Sequence, residues 1–555
     1  MLMFNNVKRC VVPFLFLLIV FVIFFTFNIS KKSGEMKEAN LVIYGDNIET
    51  NYKPFKQDEG IYISVDTISK VIDPDIYYDK VATKVIITTK NDVVKFKIDE
   101  NLMSKNMEYI STNTCAKLSD GQPYVDIELL KDIYNINIEY NEDTNTISID
   151  KKSSTDIPIK YDRVNVYSDI STNSEVLQTI GKNNTVTLYN ESLNHNRWYK
   201  VKTDSGVIGY IAKLNIDISD VKAQEERQEN EKNEEEKTSE QVQEKLTMFW
   251  QYGSDLTILG EEKIDGVNVV SPTWYELKNV NGDISSKYSQ EYYNKAKEYG
   301  YEVWPIITNG IDSSSYSPED TSAMLNSERN RENFIKNLVN VAKDNKVDGI
   351  NIDFEAMKDE DRNLFTQFIR ELAPMLRKNN IKLSVDMYFV KYIDRTRVGE
   401  AADYIVLMGY DQRGAWSSEA GSIAEVSWVE SNINSLINDS KIPASKIILG
   451  VPFYTRLWTE KAGDSDIGTK VYTMKDCQSF IEKYEIAPVW DEDAGQNYAE
   501  YVTGDITYKL WIEDSDSVKR RVESVNKYDL AGITGWRKGF ETSDIWQVIN
   551  ESLEK

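Results

Sequence analysis

Three polar side chains alternate along one short apolar run. They are Asn351, Asp353 and Glu355, in Val347-Asp348-Gly349-Ile350-Asn351-Ile352-Asp353-Phe354-Glu355. In an extended strand, residues two apart face the same side and are ~6.6 Å apart along the axis. The run therefore predicts a strand that presents all three side chains to one face, within reach of one another. Two buried carboxyls so placed cannot both ionise without a like-charge cost, so one should keep its proton near neutral pH. A protonated glutamic acid beside an aspartate is what the departure of a glycosidic oxygen needs. The rival explanation is a helix cap or a polar cluster at the closed end of a barrel, and two acids inside one strand make that arrangement costly.

Such a strand needs neighbours to hold it. From residue 245 onward, strand-like and helix-like patterns alternate eight times, with strands predicted at 247–251, 267–271, 302–308, 349–354, 382–387, 404–409, 446–451 and 532–536. Amphipathic stretches such as 333–344, 359–377 and 515–527 lie between them. Eight such units predict a (β/α)8 barrel over residues 245–555, with its active site at the C-terminal strand ends. Polar residues gather there: Thr308-Asn309, Tyr410-Asp411, Tyr454 with Arg456, and Trp536-Arg537.

Composition narrows the chemistry. The 555 residues carry 90 Asp and Glu against 65 Lys and Arg, a formal charge of −25. That opposes a nucleic-acid binder, which needs a basic face. His195 is the one histidine, and Cys10, Cys115 and Cys477 lie far apart. Histidine-based triads, zinc sites and a disulfide framework are therefore not indicated, and the chemistry is expected to run on carboxylates without metal or cofactor.

The first half reads as address and spacing. Residues 1–35 contain Val11–Phe27, an uncharged apolar run flanked by Lys8-Arg9 and Lys31-Lys32. Seventeen residues of helix span ~26 Å, close to a bilayer core, which predicts an uncleaved transmembrane anchor rather than a signal peptide. Residues 36–152 repeat at an offset of 62: Gly60–Ile63 answers Gln122–Val125, Tyr78-Asp79 answers Tyr140-Asn141, and Thr83–Ile87 answers Asn145–Ile149. This predicts a duplicated α+β unit whose copies bury their apolar faces against each other. Residues 155–218 carry short strands at the spacing of a small β-barrel, with His195 in a solvated loop. Residues 219–244 are acidic; between Ala223 and Glu244 nine acids face three bases with no aromatic residue. That stretch has too little apolar surface for a core and predicts a tether, leaving the barrel to fold by itself.

Three resemblances follow from these residues. The 347–355 run matches the DGxxxDxE signature of family 18 glycoside hydrolases, the chitinase-like group. Met408-Gly409-Tyr410-Asp411 resembles the family's MxYD motif, Gly450-Val451-Pro452-Phe453-Tyr454 its GxPxY motif, and Gly532–Trp536 its eighth-strand segment. The segments SPTWYEL (271–277, with Trp274) and WIEDSDSV (511–518) bring it nearer the spore-cortex and peptidoglycan N-acetylglucosaminidase-like branch. Asn351 departs from the pattern, since many chitinases carry another Asp there. Residues 36–152 resemble the module named after the N-terminal domain of copper amine oxidases, without histidines for copper, and residues 155–218 resemble a bacterial SH3 domain.

The family resemblance implies a retaining, substrate-assisted mechanism. Glu355 is the implied acid and base, Asp353 orients and balances the substrate acetamide, and Tyr410 donates a hydrogen bond to its carbonyl. Trp536 is the implied floor of the sugar site, with Asn351, Met408, Asp411, Tyr454, Arg456, Trp274 and Asn309 as further substrate contacts. The implied substrate is an N-acetylated polysaccharide. An anchor, spacer modules and a tether favour peptidoglycan, cut next to N-acetylglucosamine in the cell wall, with the soluble domains outside the membrane, or secreted if the segment is cleaved. A chitinase or endo-β-N-acetylglucosaminidase, and an inactive chitinase-like lectin or adhesion protein, are the alternatives.

Overall fold

The computed structural model describes residues 36–112, 116–152, 156–189, 197–216, 244–310, 318–355, 357–464 and 466–554. The predicted membrane segment, Cys10, Cys115, His195 and nearly all of the acidic tether lie outside the described residues. Among the described residues no helix is long and apolar enough to cross a membrane.

The repeat in residues 36–152 is a repeat of structure. Strands Gly60–Ser64 and Gln122–Asp126 pair antiparallel, with Val125 opposite Ile63. Each runs into a short helix, Val65–Val71 or Ile127–Tyr134, whose first turn is capped by Ser64 or Asp126. Their apolar faces meet in one core, where Ile63, Ile68, Val125, Ile127 and Leu130 are buried. Residues 156–216 form a six-stranded sheet around Val166, Val201 and Ile211.

The last domain is a closed parallel barrel. Its strands are β1 (Leu246–Gln251), β2 (Val269–Leu277), β3 (Ile306–Thr308), β4 (Gly349–Asp353), β5 (Lys382–Met387), β6 (Tyr404–Met408), β7 (Ile447–Pro452) and β8 (Gly532–Trp536). Each pairs with the next, and β8 pairs with β1 to close the ring. Helices α1 (Glu328–Asp344) and α2 (Arg362–Arg377) pack outside, burying Phe334, Leu338, Phe368 and Leu372 at helical spacing. Gly349 opens β4 because a Cβ there would stand 2.7 Å from the Trp304 indole that fills the base of the barrel.

Two features depart from the expected layout. Tyr454–Lys461 is not a strand end but the first strand of an inserted five-stranded antiparallel sheet, which runs to Ile506–Ile512 and carries helix Met474–Tyr484. Patterning could not separate this insertion from another β/α unit, because both alternate strands with a helix.

The second departure concerns the barrel's independence. The duplicated domain packs on α1 and α2 through ion pairs. Lys95 reaches Glu328 and Glu332 at 2.8 Å and Glu371 at 3.0 Å, Lys84 reaches Glu328 at 2.9 Å, and Arg370 reaches Asp75 at 2.5 Å. Arg397 also pairs with Asp75. The six-stranded domain holds the duplicated one in turn, with Lys202 at 2.6 Å from Asp150 and Tyr189 Oη donating to the same carboxylate at 2.9 Å. The charged outer faces of α1 and α2 are thus a docking surface.

Candidate active site

β4 places its polar residues by strict alternation. Ile350 and Ile352 point outward into the helices and are fully buried, while Asn351, Asp353 and then Glu355 point inward, the last two at the barrel mouth. Phe354, between the two acids, stacks on Phe368 of α2 with ring centroids 5.8 Å apart and planes 13° apart. That stack locks the parity of the strand end. At the other end Asp348 accepts the backbone N–H of Val303 at 2.8 Å and pairs with Lys297 at 2.9 Å.

The mouth of the barrel holds a cavity of about 290 Å³. Asp353, Glu355, Met408, Tyr410, Asp411, Tyr454, Trp274 and Trp536 line it, so the strand ends of the sequence prediction do converge. Trp250 stands behind the site, edge-on to Trp536 at 5.9 Å and to Tyr410 at 6.4 Å. Burial, with Tyr388 and Tyr454 adding to it, pushes the Tyr410 hydroxyl well above its ordinary range, so it stays a proton donor. Tyr454 donates to Asp411 at 2.6 Å, and burial outweighs that bond to push the Asp411 carboxyl up. Asp411 itself sits at φ 58°, in the left-handed region, where short polar side chains are tolerated.

Three predicted substrate contacts stand elsewhere. Asn351 is fully buried beneath the cavity: its Oδ1 accepts from Trp250 Nε1 at 2.9 Å, and its Nδ2 donates to Ser384 at 3.0 Å and Asp386 at 2.7 Å. Asn309 is also buried. Its amide oxygen accepts the Glu355 backbone N–H at 3.3 Å and its nitrogen donates to Thr321, so it braces the acid from behind. Tyr392 braces it from the other side, donating to the Glu355 carbonyl at 2.8 Å. Arg456 lies on the inserted sheet, where its charge acts on Asp411, and it is not among the lining residues.

Sequence reasoning missed Trp250, Lys287 and Tyr392, and most consequentially Asp386. It lies on β5, lines the cavity and is 5% exposed. Burial, and then the Asp353 carboxylate, push it well above the usual carboxylate range, against the pull of the Asn351 hydrogen bond. The proton that the sequence assigned to the Asp353–Glu355 pair thus has a further candidate holder one strand away. The signal was present in Lys382–Met387, where Asp386 falls at an inward position near the C-terminal end of the strand, but no motif pointed to it.

A parallel eight-stranded barrel with carboxylates at the end of β4, a buried tyrosine after β6 and a tryptophan closing β8 defines a glycosidase-type site. Residues 275–540 match the model for Glycosyl hydrolases family 18, residues 42–149 that for the Copper amine oxidase N-terminal domain, and residues 162–217 that for the Bacterial SH3 domain. The barrel is therefore a family 18 glycosyl hydrolase domain, chitinase-like and related to cortex-lytic enzymes. An uncharacterized glycosylase, YvbX, of Bacillus subtilis (strain 168) is 26% identical over 49% of this chain and 81% of its own length. A cortical fragment-lytic enzyme of Bacillus anthracis is 23% identical over 45% of this chain, and the chain spans only 59% of that relative. Among solved structures, a chitinase from Chromobacterium violaceum ATCC 12472 shares the fold at a TM-score of 0.50 and 24% identity, over 56% of this chain and 99% of its own.

Proposed function

We propose that the protein is a retaining glycosidase that cuts peptidoglycan beside N-acetylglucosamine, using the substrate's own acetamide as nucleophile. The observation that carries this reading is the placement of Asp353 and Glu355 on one inward face, opposite a buried Tyr410 hydroxyl and the Trp536 ring. Glu355 protonates the departing glycosidic oxygen. The acetamide oxygen attacks the anomeric carbon, closing an oxazolinium ring as the C–O bond breaks. Asp353 accepts the acetamide N–H and balances the developing positive charge, while Tyr410 donates to the acetamide oxygen and Trp536 forms an apolar floor. Glu355 then takes a proton from water, which opens the ring with net retention.

Peptidoglycan is favoured over chitin by the rim of the cavity. Lys287 is the single cation among the described lining residues, against Glu276, Asp353, Glu355, Asp386 and Asp411, and it is exposed. A cation there suits the lactyl carboxylate of a muramic acid, which chitin lacks. The reading also assigns Val11–Phe27 as a membrane anchor, with the folded domains on the wall side. Its test is mass spectrometry of purified sacculi digested by the full-length protein in detergent micelles. New reducing ends at N-acetylglucosamine are expected, and muramic acid reducing ends, or none, would overturn it. Acetylated and de-N-acetylated glycan compared side by side test the nucleophile, since a two-carboxylate enzyme would cut both.

A further inference from the structure

Two carboxyls meet across β4 and β5. The strands are parallel and in register, with Gly349 opposite Lys382, Asn351 opposite Ser384 and Ile352 opposite Val385. Continued by one residue, that register sets Asp353 level with Asp386, and residues level with each other on parallel neighbours face the same side at a strand spacing of ~4.8 Å. Both side chains line the cavity. The Asn351 amide, one level below, donates to Asp386 Oδ1 at 2.7 Å, and its own oxygen is fixed by Trp250. Asn351 therefore holds Asp386 by a neutral donor and leaves Oδ2 to carry a proton. Asp353 and Glu355 raise the cost of ionising Asp386, and Asp386 in turn acts on Tyr388 of the β5 end and Tyr410 of the β6 end. Among the described residues that line this cavity, Lys287 at the rim is the only lysine or arginine.

We propose that Asp386 is a positioning residue for the reaction above: as a neutral acid it donates its proton to Asp353, fixing that carboxylate toward the acetamide and keeping the negative charge on Asp353. Asn351 is part of the device. Where a second acid on β4 would compete for the same proton, the amide supports a partner on the adjoining strand.

The inference rests on the proposed function for its kinetic readout, and on the buried pair alone for a second. Asp386→Asn keeps the shape and supplies a donor that cannot ionise. It should retain kcat within about 10-fold at the optimum, while its alkaline limb loses one ionisation relative to the wild type. Asp386→Ala should lower kcat by 10-fold or more with KM little changed, because Asp353 loses its orienting donor but the sugar contacts remain. Equal loss in both variants with the wild-type pH profile, or an unchanged kcat in Asp386→Ala, overturns the proposal. The second readout needs no activity. A buried acid whose folded pKa lies above its unfolded value of 3.8 costs stability as pH rises from there through the folded pKa. The Tm advantage of Asp386→Asn over the wild type should therefore grow from about pH 4 upward; an advantage that is flat with pH overturns the shared proton, whatever the substrate proves to be.

Discussion

Lys95 of the duplicated domain stands 3.0 Å from Glu371 on α2 of the barrel, with the two side chains 5% and 2% exposed. Glu371 is also 3.0 Å from Arg331 on α1, and Arg331 is fully buried, with Asp79 of the duplicated domain 3.6 Å away. Charges taken out of water this far are tolerated only in company.

Removing one partner should therefore leave the others stranded. Lys95→Met deprives Glu328, Glu332 and Glu371 of their shared ammonium, and breaking such a buried pair typically costs about 3–5 kcal/mol. Denaturant unfolding of the full-length protein checks this, with Lys80→Met on the exposed surface as the control.

Acid should loosen the same contact. Burial pushes Glu328 up, but Lys95 and Lys84 outweigh it and hold the carboxyl down at about 2, against an ordinary 4.5. A folded value below the unfolded one gives stability that is present above pH 4.5 and lost as pH falls through about 2. Protease sensitivity of the domain junction, followed from pH 5 downward, should rise across that window in the wild type and less in Glu328→Gln.

At the reaction centre, Glu355→Gln keeps the contour but removes the proton donor. Hydrolysis should fall ~10²–10⁴-fold, the usual worth of general acid catalysis, with circular dichroism unchanged. Turnover near wild type in this variant would remove Glu355 from its role.

Tyr410→Phe deletes the buried hydroxyl and nothing else. One donor aimed at developing charge is worth ~10²–10³-fold in kcat. The loss should appear in kcat more than in KM, and a thiazoline mimic of the cyclised sugar should bind more weakly in proportion.

Lys287→Glu separates the candidate substrates. Peptidoglycan fragments bearing muramic acid should be cut more slowly, and neutral N-acetylglucosamine oligomers at nearly the wild-type rate. Equal effects on both would remove the lactyl carboxylate from the argument.

The barrel was legible in the sequence because eight strands with period-two patterning and polar ends leave few other folds. The 62-residue repeat was legible because both copies keep a cap, a short helix and a returning strand at matched positions. Asp353, Glu355, Tyr410 and Trp536 were found by parity and motif, and they line one cavity. Asp386 was not, since its meaning comes from the register of a neighbouring strand, which no local pattern states. The domain contact was hidden for a similar reason. Nothing local in the sequence gives Glu328, Arg331, Glu332, Arg370 and Glu371 a role, and only Lys84, Lys95 and Asp75, more than two hundred residues earlier, show why they are there.

The docking of the first domain on the last closes the chain into a clasp. The duplicated domain grips the six-stranded one through Asp150 and the barrel through Lys95, so the stretch between residues 217 and 243 joins parts that already meet at a third body. Severing the chain in that stretch would leave both halves in place. A protease acting there would produce a nicked chain whose two parts stay together; separating them would require prising apart the ion pairs.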